Sequence, residues 1–308
     1  MKAAVCTRYG PPEVLQLRDV LDPVHGANDV LVRIRATTVT PSDCYIRSMI
    51  PTAPLITRLI AQAAMGFTRP RRPILGALLA GEIEAIGTKV TRFHVGDRVW
   101  AFTTLRMSCY AQRIRLPATL KLLTRAPSNL SHDDTAAVLG GWLAFYFLGK
   151  ANIQSGQRVL VYGASSANGT GAIQIAKAVG AEVTAVCSTA NVELSRSLGA
   201  DTVLDYTRDQ PSALGRYDVV FDAVGRRKTS PMKEAARSAL TPAGKFISVD
   251  DRLPRVRRDD LDRLRELAEA GKLAPVIDRR YPLERIAEAH RYAEQGHKKG
   301  NVVITTAD

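Results

Sequence analysis

The residues best suited to hold a phosphate lie in the run Val159-Leu160-Val161-Tyr162-Gly163-Ala164-Ser165-Ser166-Ala167-Asn168-Gly169-Thr170-Gly171. A β-rich apolar stretch leads into a glycine-containing turn, and a helical pattern follows. Glycine lets the backbone turn tightly and approach a pyrophosphate, while N–H groups and the dipole at the helix N-terminus stabilise the anion. Gly163, Ala164, Ser165, Ser166, Ala167, Asn168 and Gly169 are therefore the candidate phosphate-binding residues; a purely structural glycine turn is the alternative. Ser166 stands where a middle glycine is usual and Ala167 beside it, so each adds a side chain near the phosphates.

The next β-rich run ends Val186-Cys187-Ser188-Thr189-Ala190-Asn191, and no carboxylate follows until Glu193. An acidic residue at that point would accept hydrogen bonds from a ribose 2′-hydroxyl and repel a 2′-phosphate. Its absence favours NADPH, with NADH as the second option. Ser188, Thr189 and Asn191 can hydrogen-bond the phosphate or simply cap the following helix; no Arg or Lys lies in the loop itself.

These residues need a scaffold, and the pattern supplies one. Strand candidates at 158–162, 182–187, 202–204, 218–222 and 245–249 alternate with helical patterns at 170–179, 192–198 and 231–240. That alternation predicts a parallel, doubly wound sheet with crossover helices. Before it, 2–6, 14–19, 30–36, 81–90 and 97–102 read as short strands between turn signals, as in an antiparallel β domain. Between them, the apolar residues of 55–67 recur at spacings of three and four, which marks an amphipathic helix that either packs on the sheet or covers a pocket. Helices at 131–139, 143–150, 260–270 and 283–295 and a strand at 301–305 complete the reading.

The chain has 308 residues, 45% apolar and 24% charged, a composition that excludes disordered, collagen-like and coiled-coil proteins and suits two domains. No apolar run is long enough for a bilayer, and Met1-Lys2-Ala3-Ala4-Val5 lacks the h-region of a signal peptide. Cys6, Cys44, Cys109 and Cys187 form no CxxC pair, which argues against a disulfide framework and, with the missing leader, for a cytoplasmic protein. A net charge of +13 would suit an anionic partner, but the basic residues fall in short clusters without interleaved aromatics, so a solvated surface is expected and no nucleic-acid partner.

Taken together, the segment Gly-Glu-Ile-Glu-Ala-Ile-Gly-Thr-Lys-Val-Thr-Arg-Phe-His-Val-Gly-Asp-Arg-Val at 81–99, the glycine loop, Leu198-Gly199-Ala200-Asp201, Tyr217-Asp218-Val219-Val220-Phe221-Asp222 and Gly300-Asn301-Val302-Val303-Ile304 resemble the medium-chain dehydrogenase/reductase superfamily, in its zinc-free quinone oxidoreductase branch. The resemblance covers nearly the whole chain. It implies an α/β fold: a GroES-like β-rich catalytic domain at 1–124, a Rossmann domain with a doubly wound parallel sheet at 125–272, and a return to the catalytic domain at 273–308. Zinc-dependent members take their metal from a Cys shortly before a Ser/Thr-Asp pair and from a Gly-His-Glu motif before an Ala-Gly pair. The corresponding stretches here are Thr40-Pro41-Ser42-Asp43 and Gly76-Ala77-Leu78-Leu79-Ala80-Gly81. Thr40, Ala77 and Leu78 cannot make a zinc site, so no zinc is expected.

In zinc-free relatives the segment matching 37–47 lines the nicotinamide pocket with an Asn-x-x-Asp-x-Tyr pattern. This chain has Thr40, Asp43 and Tyr45 there, Thr40 departing from the pattern. Tyr45 and Ser42 are the candidate donors to a developing oxyanion, and Asp43 is read as fixing the loop. Gly141 and Trp142 resemble the family segment beside the nicotinamide, and Val224 and Gly225, after the fourth strand of the series, are further cofactor candidates. The expected activity is NADPH-dependent hydride transfer to a small electrophile: a quinone, enone or activated carbonyl. A zinc-free alcohol or aldehyde dehydrogenase and a dinucleotide-binding sensor with little catalysis are the alternatives. Relatives carry a longer segment after the fifth strand, including a sixth strand that can pair between subunits. Here only 250–258 intervenes, so a monomer, or a dimer through another surface, is expected.

Overall fold

The computed structural model describes residues 1–49, 59, 62, 63, 65–227, 229–251, 257 and 259–307. They divide into two compact units, one formed by Met1–Leu139, Arg257–Asp262 and Ile277–Asp308, the other by Gly140–Val256 and Arg263–Val276. Most of the amphipathic stretch expected at 55–67 lies outside the described residues, as do most of the arginines of 250–258.

The first unit holds β1 (Lys2–Cys6), β2 (Leu15–Asp19), β3 (Asp29–Thr38), helix α1 (Pro41–Ser48), β4 (Leu78–Ile86), β5 (Arg98–Phe102), β6 (Arg113–Pro117), β7 (Leu123–Arg125) and α2 (His132–Gly140). It resumes with β13 (Ile277–Pro282), α8 (Ile286–Glu294) and β14 (Asn301–Thr305). β1 and β2 pair antiparallel, and a seven-stranded sheet runs β13-β14-β3-β4-β5-β7 with β6 also on β3. β3 shows why the sequence makes this sheet. Val30, Val32, Ile34 and Ala36 alternate inward into the core, while Arg33 and Arg35 turn outward to Glu84 and Glu82 on β4.

Four elements of this unit were not expected. β6, β7 and β13 carry charged residues that mask their alternation, and α1 occupies a stretch expected only as a pocket-lining segment. The unit's first segment also runs on to Leu139, past the expected end at 124. β7 pairs with β5, and Ala136 and Ala137 of α2 pack with Ala36, Ala80 and Val303.

The second unit holds α3 (Trp142–Ala151), β8 (Arg158–Tyr162), α4 (Ala167–Val179), β9 (Glu182–Cys187), α5 (Val192–Ser197), β10 (Thr202–Asp205), β11 (Tyr217–Asp222), α6 (Pro231–Ser238) and β12 (Leu240–Ser248); α7 (Asp259–Glu269) carries residues of both units. Its five strands run β10-β9-β8-β11-β12, and each neighbouring pair is parallel. Val159, Leu160 and Val161 are all buried because helices cover both faces of a parallel sheet, and this gives the unbroken apolar run. The chain reverses direction of winding between β8 and β11, the place where an open α/β sheet leaves a crevice at its carboxyl edge.

Candidate functional site

The turn between β8 and α4 is built for close approach. Gly163 sits at φ +77°, and a Cβ there would lie 2.4 Å from Val224 Cγ1. A Cβ on Gly169 would come within 2.2 Å of the Gly163 carbonyl oxygen, so the first helical turn can press against the loop only without one. Ser166 has extended dihedrals that any residue tolerates; its Oγ accepts from Gly169 N at 3.0 Å and caps α4. The side chain that replaces the usual glycine therefore folds back onto the helix. Helix geometry leaves the amides of Ala167 and Asn168 ahead of the first intrahelical bond, and the buried Oδ1 of Asn168 has no partner. Ala164 is buried, and Ser165 and Ala167 are partly buried.

At the end of β9, Asn191 donates from Nδ2 to Ser188 Oγ at 3.0 Å, and its own buried Oδ1 is unpartnered. The sequence places no carboxylate in this loop, but the fold brings one from the neighbouring strand: Asp205, in register with Cys187, accepts from the Thr189 hydroxyl. The Thr189 hydroxyl, expected either to meet a phosphate or to cap the next helix, donates to Asp205 here. Asp205 also accepts from Thr207 N at 2.9 Å and Thr207 Oγ1 at 2.7 Å. Burial opposes its ionisation, yet the hydroxyls of Thr189 and Thr207 hold the carboxyl below its ordinary value.

After β11, Asp222 Oδ1 accepts from Val224 N at 3.2 Å and Gly225 N at 3.1 Å. Lys233 of α6, itself buried, pairs with Asp222 Oδ2 at 2.9 Å and donates to the Gly225 carbonyl. The loop carrying two of the candidate cofactor residues is thus held by a buried ion pair that no sequence motif announced. Gly141 is the N-cap of α3 and Trp142 its first residue, 4% exposed.

In the first unit, Thr40 and Asp43 form a reciprocal cap on α1. Asp43 N donates to Thr40 Oγ1 at 3.3 Å, while Thr40 N and Oγ1 donate to Asp43 Oδ2 at 2.8 and 2.6 Å. Asp43 is fully buried, and burial pushes its carboxyl up to about 6 against the opposing pull of the Thr40 bonds and, at longer range, Tyr110. Ser42 is exposed and Tyr45 half-buried on the same helix.

Behind α1 lies a side-chain relay absent from the sequence expectations. Arg47, 1% exposed, pairs with Glu294, and its Nε donates to His290 Nδ1 at 3.3 Å. A guanidinium can only donate, so Nδ1 accepts and Nε2 carries the proton. That proton faces the Tyr110 hydroxyl 3.2 Å away, which leaves the phenol to donate in turn, with the Thr38 carbonyl 3.5 Å off. Burial and the nearby Arg47 charge drive the His290 imidazole down to about 3, so it stays neutral. Burial raises the Tyr110 phenol well above its usual value and Cys44 to about 12. Arg47 and His290 are 243 positions apart, and no local pattern joins them.

With this geometry in view, comparison with known proteins is decisive. An alcohol dehydrogenase GroES-like domain matches residues 26–152, and zinc-binding dehydrogenase models match 168–250 and 251–304. The NADPH-dependent alkenal/one oxidoreductase, chloroplastic, of Arabidopsis thaliana is 30% identical over 99% of this chain and 79% of its own length. The chain belongs to the medium-chain dehydrogenase/reductase superfamily. It is also 29% identical to the mitochondrial NAD(P)H oxidoreductase RTN4IP1 of Mus musculus, over 99% of this chain and 89% of that one. A crystal structure of an NAD-dependent alcohol dehydrogenase superposes with a TM-score of 0.83 at 27% identity, covering 100% of both chains. The protein is thus an NAD(P)H-dependent oxidoreductase with a GroES-like and a Rossmann-type domain.

The superfamily's dinucleotide suits the residues present. Two glycines that accept no Cβ, two leftover first-turn amides and the unpartnered oxygens of Asn168 and Asn191 lie where a pyrophosphate and a ribose would need donors, acceptors and room.

Proposed function

We propose that this oxidoreductase uses NADPH, without zinc, to reduce a quinone, enone or activated carbonyl. The observation that carries the reading is what stands where zinc-dependent relatives hold their metal. Thr40 spends its hydroxyl on the α1 cap, and Ala77 and Leu78 are buried at the start of β4 with no N, S or O side-chain donor. When bound, the nicotinamide supplies the hydride.

The protein's own share is orientation and electrostatics. Gly163–Gly169 and the Asp222-anchored pair Val224 and Gly225 hold the dinucleotide, Ser188 and Asn191 meet its adenosine ribose, and Gly141 and Trp142 lie toward its nicotinamide end. On α1, Tyr45 is the donor to the anion that forms on the substrate oxygen, Ser42 is the second candidate, and the Thr40–Asp43 cap keeps the helix in place. The first unit would serve as the catalytic domain and the second as the dinucleotide domain. No helix among the described residues is long and apolar enough to cross a membrane. Four unpaired, buried thiols favour a reducing compartment, which we take to be the cytoplasm.

A panel assay tests this. Purified protein should oxidise NADPH with enones and quinones and turn over simple alcohols with NADP+ far more slowly. Faster alcohol turnover would favour the dehydrogenase reading, to which the NAD-dependent structural relative and the carboxylate of Asp205 lend support. Tight NADPH binding with no turnover on any electrophile would favour a sensor.

A further inference from the structure

We propose that Arg208 is the residue by which this chain recognises the 2′-phosphate of NADPH; the inference rests on the NADPH reading above. The loop after β9 reads the adenosine ribose in this fold class, and here it holds no cation. The turn after β10 lies against it. Asp205 is in register with Cys187, Tyr206 N donates to the Cys187 carbonyl at 3.0 Å, and the hydroxyls of Thr189 and Thr207 are 3.1 Å apart.

That turn is rigid. The amides of Arg208 and Asp209 both donate to the Asp205 carbonyl, at 3.0 and 2.8 Å, and Asp209 Oδ2 accepts from Asp205 N at 2.7 Å. Arg208 holds its Nε 3.9 Å from Asp205 Oδ2 while 73% of its side chain stays exposed, so the guanidinium lies beside this loop and keeps solvent-facing donors. The planar fork of a guanidinium is the donor set that matches a phosphate.

Two other cations on these elements are engaged elsewhere. Arg196 is paired with Glu193 on α5, and Lys177 with Asp201, which sits at the opposite, amino-terminal edge of β9 and β10. The hydroxyls of Thr189 and Thr207, the Thr207 amide and the nearby Arg208 offset the charge by which Asp205 would oppose the phosphate. In the same loop the buried Oδ1 of Asn191 has no partner and is an acceptor suited to a ribose hydroxyl.

Calorimetric titration with 2′,5′-ADP, 5′-AMP, NADPH and NADH separates the outcomes. Arg208→Ala should weaken 2′,5′-ADP and NADPH by about 10- to 100-fold, the size of one charge-assisted hydrogen bond, while 5′-AMP and NADH change less than about twofold. Arg208→Lys should recover part of the loss, Arg208→Glu should deepen it, and Arg196→Ala should change nothing. If the unaltered protein prefers 2′,5′-ADP over 5′-AMP but Arg208→Ala keeps that preference, Arg208 is not the reader and the NADPH reading survives. If the unaltered protein binds both equally, the NADPH reading itself is wrong. An equal loss for all four ligands would make Arg208 a structural residue and overturn the proposal.

Discussion

The glycine turn of the second unit, which we propose as the phosphate cradle, is made mostly of backbone, whereas the polar cluster behind α1 in the first unit is made almost wholly of side chains. In that turn, Gly163 and Gly169 contribute by having no Cβ, and the available donors are amides left over by helix geometry. In the cluster, Arg47, His290 and Tyr110 are buried and bond to one another, while the neighbouring Asp43, also buried, bonds through Oδ2 to Thr40 and leaves Oδ1 unpartnered. The turn leaves first-turn amides free of intrahelical bonds, as an anion site would need. In the cluster the chain Arg47–His290–Tyr110 is joined side chain to side chain, which suits it to holding α1 in place. A backbone site therefore breaks by steric intrusion, and a side-chain site by removing a donor or a titrating group.

Four experiments would sharpen or break that contrast. Gly169→Val should have the largest effect: its Cβ would collide with the Gly163 carbonyl, and NADPH affinity should fall by more than about 1,000-fold, over 4 kcal/mol. Fluorescence titration would show it, and binding within threefold of the parent would mean that the loop is not a phosphate cradle.

Next, Tyr45→Phe should cost about 2.7–4 kcal/mol in enone turnover while NADPH affinity barely moves, because the lost bond acts in the transition state. A quinone, more electrophilic and with a more delocalised product anion, should suffer less. Enone turnover within about twofold of the parent would remove Tyr45 from the mechanism.

The third concerns pH and the relay. Above its ordinary value of 6.5 the His290 imidazole is neutral in folded and unfolded chains alike; below it only the unfolded chain takes up a proton, until the folded value near 3 is reached. Stability is therefore lost as pH falls across that window, by about 3 kcal/mol at pH 4. His290→Gln keeps an acceptor for Arg47 and a donor for Tyr110 but cannot titrate, so denaturant midpoints from pH 7 to 4 should decline less steeply. Asp43 acts with the opposite sign: its folded value near 6 lies above its ordinary 3.8, so stability is lost as pH rises between them, and Asp43→Asn should remove that slope. Unchanged pH profiles in both variants would show that neither group is buried as described.

The smallest expected effect is none. Exhaustive dialysis against a chelator should leave turnover unchanged and elemental analysis should find no stoichiometric zinc, whereas one tightly held zinc per chain whose removal stops the reaction would refute the zinc-independent reading.

Assembly offers a further check on the second unit. β12 is an outer strand of its sheet among the described residues, and it exposes Pro242 and Lys245, which discourage pairing with another strand. We propose a monomer, or a dimer formed through a different surface, and a structure with a continuous intersubunit sheet through β12 would contradict it.

How much was legible follows from the range of the interactions. The β–α alternation and the glycine turn are local patterns, so β8, α4, β9 and β11 could be placed within a few residues. α1 is only eight residues long and shows little apolar periodicity; its one local signal is the capping box of Thr40 and Asp43, which Thr-x-x-Asp does carry. β6 escaped because its two arginines break the apolar pattern: Arg113 pairs with Glu84 and Asp22, and Arg115 with Asp29.

Read alone, the sequence determines the parallel strands of the second unit, the place of its glycine turn between β8 and α4, and the absence of metal-ligating side chains at Thr40, Ala77 and Leu78. These depend on residue type and short spacing, which translate directly into backbone geometry. Only the tertiary structure decides that Asp205 and Arg208 stand beside Thr189, that Lys233 locks the loop after β11, and that His290 carries its proton on Nε2 between Arg47 and Tyr110. Each of those pairs residues from separate elements, and a hydrogen bond reaching about 3 Å is set by strand register and helix packing that no one-dimensional pattern records.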